Sequence, residues 1–88
     1  MKKYYVTMTD SFMSGWGMSE GKINKLVFEC DNYNEADIVY KNAKNRSEMK
    51  YINITANKPR YSGTRYLVQE KTKAEYPNWY EKNYFYNR

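Results

Sequence analysis

Residues 26–36, LVFECDNYNEA, join one predicted strand to the predicted helix of this chain. The stretch begins with a period of two, which is typical of a strand that buries one face. Asn32 then precedes Glu35 by three positions, which is the spacing of a capping box at a helix N-terminus. The stretch therefore predicts a strand that ends near Cys30 and a helix that begins directly after Asn32. The inward positions of this strand are predicted to be Leu26, Phe28 and Cys30.

The helix is predicted over residues 33–45, where apolar residues recur at helical spacing. The small side chains of Ala36 and Ala43 permit a close approach to a sheet, whereas Ile38 lies nearly opposite as an isolated apolar residue. The sequence therefore predicts an amphipathic helix that packs on strands. Its apolar positions are Ala36, Val39, Tyr40 and Ala43, with Tyr33 close to the same face.

Four strands surround this helix in the sequence. Residues 3–9 and 25–30 alternate and are expected to pair as a wide hairpin, and residues 50–55 and 65–70 follow the helix. The order β-β-α-β-β predicts one α+β domain over residues 1–88, in which one helix packs on a mostly antiparallel sheet. Further inward positions of the strands are predicted to be Tyr4, Val6, Met8, Ile52 and Ile54.

The C-terminal residues 73–88 are rich in aromatic side chains. Pro77 is incompatible with a helix interior but suits the first helical position, so a second short helix is predicted to begin near it. In that helix Tyr76, Tyr80 and Tyr84 are expected near one face, with Trp79 and Phe85 beside them.

Composition excludes several classes of protein. The 88 residues include one cysteine and no histidine, so an internal disulfide and the commonest general base are both absent. Cys30 is predicted to be a buried structural thiol, and no cofactor or metal site is expected. No segment is long and apolar enough to suggest a membrane span, so a soluble, cytoplasmic protein is expected. We therefore predict a protein that is not an enzyme.

The net charge of +5 is concentrated in one part of the chain. Residues 50–73 contain six Lys or Arg and one Asp or Glu, whereas residues 1–49 contain seven of each kind. This stretch interleaves cations with tyrosines, a mixture that can contact phosphates and stack on bases. It is open to three interpretations: a solvated face, a site for an acidic protein, or a nucleic-acid site over residues 58–73. The candidate contact residues are Lys58, Arg60, Tyr61, Arg65 and Tyr66, with Lys71 and Lys73 beyond them.

Residues 9–21, TDSFMSGWGMSEG, combine three glycines with large apolar side chains in one predicted loop. Trp16 either folds back over the core or serves as an anchor for a partner, since tryptophan in a desolvated pocket often dominates binding energy. Met13 and Met18 would help such a surface to adapt its shape.

Residues 9–17, 26–36 and 48–61, TDSFMSGWG, LVFECDNYNEA and EMKYINITANKPRY, together carry a resemblance. They resemble small proteins of bacteriophages and integrative mobile elements from low-GC, Gram-positive gut bacteria. The similarity extends over residues 1–66. It implies a genetic context and supplies no functional residues.

The sequence supports three functional hypotheses. The first is a phage or mobile-element protein that inhibits or modulates a bacterial host protein or defence complex, the class that includes anti-CRISPR and other anti-defence factors. The second is an accessory protein that binds single-stranded nucleic acid. The third is an oligomeric sponge for an anionic nucleotide messenger.

Overall fold

A computed structural model of the chain describes residues 3–11 and 22–84. It confirms the α+β class and the predicted order of elements. A short 3₁₀ helix that begins at Pro77 stands where the C-terminal helix was predicted. The elements are β1 (Tyr4–Asp10), β2 (Ile23–Cys30), α1 (Tyr33–Lys44), β3 (Met49–Thr55), β4 (Tyr66–Lys71) and the 3₁₀ helix (Pro77–Tyr80).

Strands β1 and β2 form the predicted antiparallel hairpin at the centre of the sheet. Val6 lies opposite Phe28 and Met8 lies opposite Leu26, so the apolar residues of both strands share one face. These side chains are almost completely buried beneath α1. We call this side of the sheet the helix face.

The capping residues predicted for α1 are present. Glu35 N–H donates to Asn32 Oδ1 at 2.8 Å. The Glu35 carboxylate reaches back and accepts from the backbone N–H of Asp31 at 3.0 Å, one residue earlier than in the usual capping box. Ala36, Val39 and Ala43 are buried against the sheet as predicted, whereas Tyr33 is 55% exposed at the helix start.

The sheet has the strand order β3-β1-β2-β4. β3 is antiparallel to β1, and β4 is parallel to β2, so the sheet is mixed with antiparallel pairs in the majority. The chain crosses from β2 to β3 through α1, and residues 56–65 then return across the whole sheet to β4. Because parallel crossovers keep one hand, a return in the opposite direction is expected on the side opposite α1. We call this side the second face.

The C-terminal segment closes the core beside α1. Trp79 and Tyr80 pack on Phe28, with ring centroids 4.7 and 6.2 Å away. The Tyr80 hydroxyl donates to Glu29 O at 2.8 Å, and buried Asn42 donates to the backbone oxygens of Trp79 and Glu81. The common face predicted for three tyrosines is therefore divided, because one 3₁₀ turn buries Tyr80 and leaves the others at the surface. The two at the surface are Tyr76 and Tyr84.

Within the described ranges, no helix is both long enough and apolar enough to cross a membrane.

Candidate binding surface

The second face of the sheet differs from the helix face in its chemistry. Alternation along β1 and β2 places Thr7 opposite Val27 and Thr9 opposite Lys25 on this side. Thr7, Thr9 and Val27 are nevertheless buried, which shows that other residues cover this part of the sheet. The second face is therefore partly closed.

Contacts from the return connection, residues 56–65, lie on this face. Lys58 forms an ion pair with Glu70 of β4, and the Tyr61 ring lies beside Lys25 of β2. Where the connection ends, Ile23 N–H donates to Arg65 O at 3.0 Å, which begins the parallel pairing of β2 with β4. The crossover thus brings residues that are far apart in sequence to one place.

Three tyrosine rings surround the Lys25 ammonium. Its Nζ lies 6.0 Å from the Tyr51 centroid, 5.5 Å from that of Tyr61 and 6.0 Å from that of Tyr66. Burial lowers the pKa of Lys25. No ion pair within residues 3–11 and 22–84 includes this ammonium. The ring faces partly compensate for the water that it has lost.

The rings also contact each other and a second cation. Tyr61 and Tyr66 have centroids 5.3 Å apart at 57° between their planes, and the Arg65 guanidinium lies 6.0 Å from the Tyr66 centroid. Aromatic pairs with cations at their faces are common at binding surfaces. We call this cluster the basic-aromatic face. Its members are Lys25, Tyr51, Tyr61, Arg65 and Tyr66.

Tyr51 reaches this cluster through an irregularity in β3. The register between β1 and β3 shifts between Thr7 and Thr9, which inserts one extra residue into β3. Tyr51 has a φ of 55°, in the left-handed region that residues other than glycine rarely occupy, and it is 77% exposed. A strained backbone that presents a large ring to solvent is a feature of functional sites.

A pocket of about 420 Å³ opens within the second face beside this cluster. Lys25 and two rings, Tyr51 and Tyr66, form part of its wall. The volume lies within the range of small-molecule sites. The complete lining is Thr9, Ser11, Ile23, Lys25, Tyr51 and Tyr66, which we call the Lys25 pocket.

Charge is distributed unevenly along the second face. The acidic positions lie away from the pocket, since Glu29 is opposite Tyr5 and Glu70 is opposite Val27. Both carboxylates form ion pairs, Glu29 with Lys3 and Glu70 with Lys58. At the pocket end, cross-strand pairing instead places Thr9 between Lys25 and Lys50. This end is therefore positive and the other end is close to neutral.

The structure brings together only some of the predicted contact residues. Tyr61, Arg65 and Tyr66 cluster, and Arg60 is exposed on the return connection directly before Tyr61. Lys58 forms an ion pair with Glu70, which links the return connection to β4. Met13, Trp16 and Met18 lie outside the described residues, and the two hypotheses for Trp16 stay predictions.

Two lysines of the basic stretch belong to the other side of the molecule. Lys71 Nζ donates to Gln69 Oε1 and to the Tyr76 hydroxyl, both at 2.9 Å. Lys73 forms an ion pair with Glu35 at the start of α1. These contacts attach the C-terminal segment to the sheet and helix, away from the basic-aromatic face.

Lys25 and Tyr51 are site residues that the sequence pattern does not predict. Lys25 alternates with the inward Leu26, so the period of two placed it on the second face but did not identify what covers that face. Tyr51 gave no signal, because neither the bulge nor its positive φ follows from a tyrosine in a strand pattern. The three rings around Lys25 come from β3, the return connection and β4.

Cys30 is buried and its thiol donates to Phe28 O. Burial, with nearby carboxylates, raises its pKa to about 12. A thiol in this state is a poor nucleophile at neutral pH. No cluster of three or more residues able to ligate a metal occurs in the described part of the chain.

No family model, curated protein or solved structure matches this chain. The chemistry of the basic-aromatic face and its pocket is therefore the basis for inferring function.

Proposed function

We propose that this chain is a non-enzymatic binding protein of a phage or mobile element that modulates a bacterial host protein. The basic-aromatic face is the surface that contacts the partner, and an anti-CRISPR or other anti-defence role belongs to this class. The resemblance of residues 9–17, 26–36 and 48–61 to phage and mobile-element proteins supports the context. The geometry of the face supports the mode of action.

The main observation is that the half-buried Tyr61 and Tyr66 rings pack together beside the exposed Arg65. The strained and exposed Tyr51 ring lies near the same Lys25 ammonium as these two rings. Tyrosine and arginine are among the residues that contribute most to binding energy at protein interfaces. Among residues 3–11 and 22–84, the cations at this end of the sheet form no ion pair of the kind that Lys3 and Lys58 form. A complementary partner therefore presents an acidic surface, which also accelerates association.

The test compares two variants of equal charge change. Arg60→Gln with Arg65→Gln alters the basic-aromatic face, and Lys41→Gln with Lys44→Gln alters exposed positions on α1. Tagged proteins are incubated with nuclease-treated bacterial lysate, and captured proteins are quantified by mass spectrometry. We expect the first variant to reduce recovery of one host protein at least about tenfold, or about 1.4 kcal/mol. Equal recovery by both variants would refute this role for the face.

Single-stranded nucleic acid is the second candidate partner, and the exposed Tyr51 ring beside Lys25 favours it specifically. Bases stack on such rings while cations contact phosphates. Affinity for labelled oligothymidylate should fall steeply with salt, and the Arg60/Arg65 variant should reduce the log–log slope by about 1.4, or about 0.7 for each lost phosphate contact. An unchanged slope would exclude this face as the strand-binding site.

A further inference from the structure

We propose that the Lys25 pocket is a binding site for one nucleotide, with the base against the tyrosine rings and the phosphate at Lys25. This inference goes beyond the proposed function, because it assigns a small-molecule ligand to one chain and stands whether or not a host protein binds. A nucleotide that is free and one within a strand share this chemistry. The experiment below distinguishes these two sources.

The lining of the pocket suits a flat, partly apolar group. Aliphatic Ile23 and the aromatic Tyr51 and Tyr66 all line the same space. Rings favour stacked planar partners, and base–aromatic stacking contributes about 1–3 kcal/mol per base in strands. The base is therefore expected to occupy the side of the pocket lined by the two tyrosines.

The electrostatics suit an anion. Lys25 lies in the pocket wall without an ion pair among the described residues, and Lys50 lies opposite Thr9 on the neighbouring strand. Arg65 is held at the Tyr66 ring on the other side. Lys25 is thus the cation in the pocket wall, and its partial burial strengthens its attraction for an anion by lowering the local dielectric constant.

Hydroxyl groups supply hydrogen-bonding capacity. The pocket is lined by Thr9 and Ser11 as well as by the two tyrosines. Ser11 Oγ donates to Glu48 O at 2.7 Å, so its lone pairs remain able to accept from a base amino group. A nucleotide combines all three features that the pocket recognises: a planar ring, an anion and polar edges.

Two variants remove the charge and one ring of the pocket without changing a residue of the hydrophobic core. Lys25→Met removes the charge and keeps most of the side-chain length. Tyr51→Gly removes the exposed ring and suits the left-handed backbone at this position. The controls are Lys44→Met, which removes a lysine over the Tyr40 ring of α1, and Tyr33→Ala, which removes an exposed tyrosine remote from the pocket.

The purified chain, freed of nucleic acid by nuclease and high salt, is titrated by calorimetry. The probes are the four ribonucleoside 5′-monophosphates, the corresponding nucleosides and oligothymidylate. We expect a nucleotide probe to bind, Lys25→Met and Tyr51→Gly each to weaken binding at least about tenfold, and both controls to bind as the parent does. Thermal melting of each variant confirms that it is folded.

Binding of a mononucleotide would identify a free nucleotide as the ligand. Binding of oligothymidylate alone, weakened by both pocket variants, would identify a nucleotide within a strand. Failure of every probe to bind would overturn the proposal, as would equal affinity of parent, Lys25→Met and Tyr51→Gly. Equal affinity for nucleoside and nucleotide would also overturn it, because the phosphate would then make no contact.

Discussion

The two faces of the sheet are built from the same four strands but differ in packing and chemistry. The helix face buries Val6, Met8 and Phe28 beneath α1 and the C-terminal aromatics, where close packing stabilises the fold. The second face is covered by a connection without regular structure and contains a lysine among tyrosines. On the second face, Tyr51 has a strained backbone and Lys25 is partly desolvated, and neither feature stabilises the fold. We therefore expect stability to depend mainly on the helix face, and the proposed binding to depend on the second face.

The largest expected effect is on the helix face. Phe28→Ala removes the ring that Trp79 and Tyr80 pack against, and should lower the free energy of unfolding by about 3–5 kcal/mol. Val68→Ala, at a partly exposed position of the second face, should cost less than about 1 kcal/mol. Urea unfolding monitored by circular dichroism measures both, with Phe28→Leu as a milder core variant. Similar losses at the two positions would contradict the division between the faces.

Asn42 should have the next largest effect. Its buried amide donates to two backbone oxygens of the C-terminal segment, at 3.0 and 2.7 Å, so Asn42→Ala leaves them without these donors. We expect a loss of about 1–3 kcal/mol in urea unfolding, against almost none for exposed Asn34→Ala on the same helix. Equal stability of the two variants would show that the segment is not held by this side chain.

Alkaline pH should also lower the free energy of unfolding, through two buried groups of the helix face. Burial raises the pKa of both Cys30, to about 12 from an ordinary 9.0, and Tyr80. Between the pKa values of the two states, the folded state therefore retains protons that the unfolded chain loses. The contribution of these groups to the free energy of unfolding is fully present below about pH 9 and decreases as the pH rises. The slope is up to about 1.4 kcal/mol per pH unit for each group. Urea unfolding at a series of pH values measures it, and Cys30→Ala should make the slope shallower; a flat profile would contradict the burial of these groups.

The smallest expected effect is a gain in stability on the second face. Tyr51→Gly relieves the left-handed backbone and removes a mostly exposed ring, so it should raise the free energy of unfolding by up to about 1 kcal/mol. Lys25→Met removes a desolvated charge and should not lower stability. Thermal melting distinguishes these outcomes. A clear loss of stability in both variants would show that the second face is built for folding and not for binding.

The parts of the fold that could be predicted are those specified by residues close together in the sequence. The β1–β2 hairpin, the cap at Asn32 and the start of the last helix at Pro77 each depend on residues close in sequence, and the structure confirms all three. The parallel pairing of β4 with β2 depends on a crossover from one sheet edge to the other. Alternation within a single strand does not specify its neighbour, so this pairing was not predicted.

The sequence predicted only some of the residues of the candidate site. Tyr61, Arg65 and Tyr66 are close in the chain, and their composition identified them. Lys25 and Tyr51 entered only when the sheet and the return connection placed them beside those residues. In the same way, Lys58 and Lys73 counted as binding cations by composition, but their ion pairs with Glu70 and Glu35 are tertiary contacts.

The sequence by itself determined the α+β class, the order of the elements and the residues of the helix face, because hydrophobic periodicity and helix capping act over a few residues. Only the tertiary structure decided which strands are neighbours, which cations are paired and where a pocket opens. Those properties depend on contacts between distant segments, whose geometry is established only when the chain closes around its core.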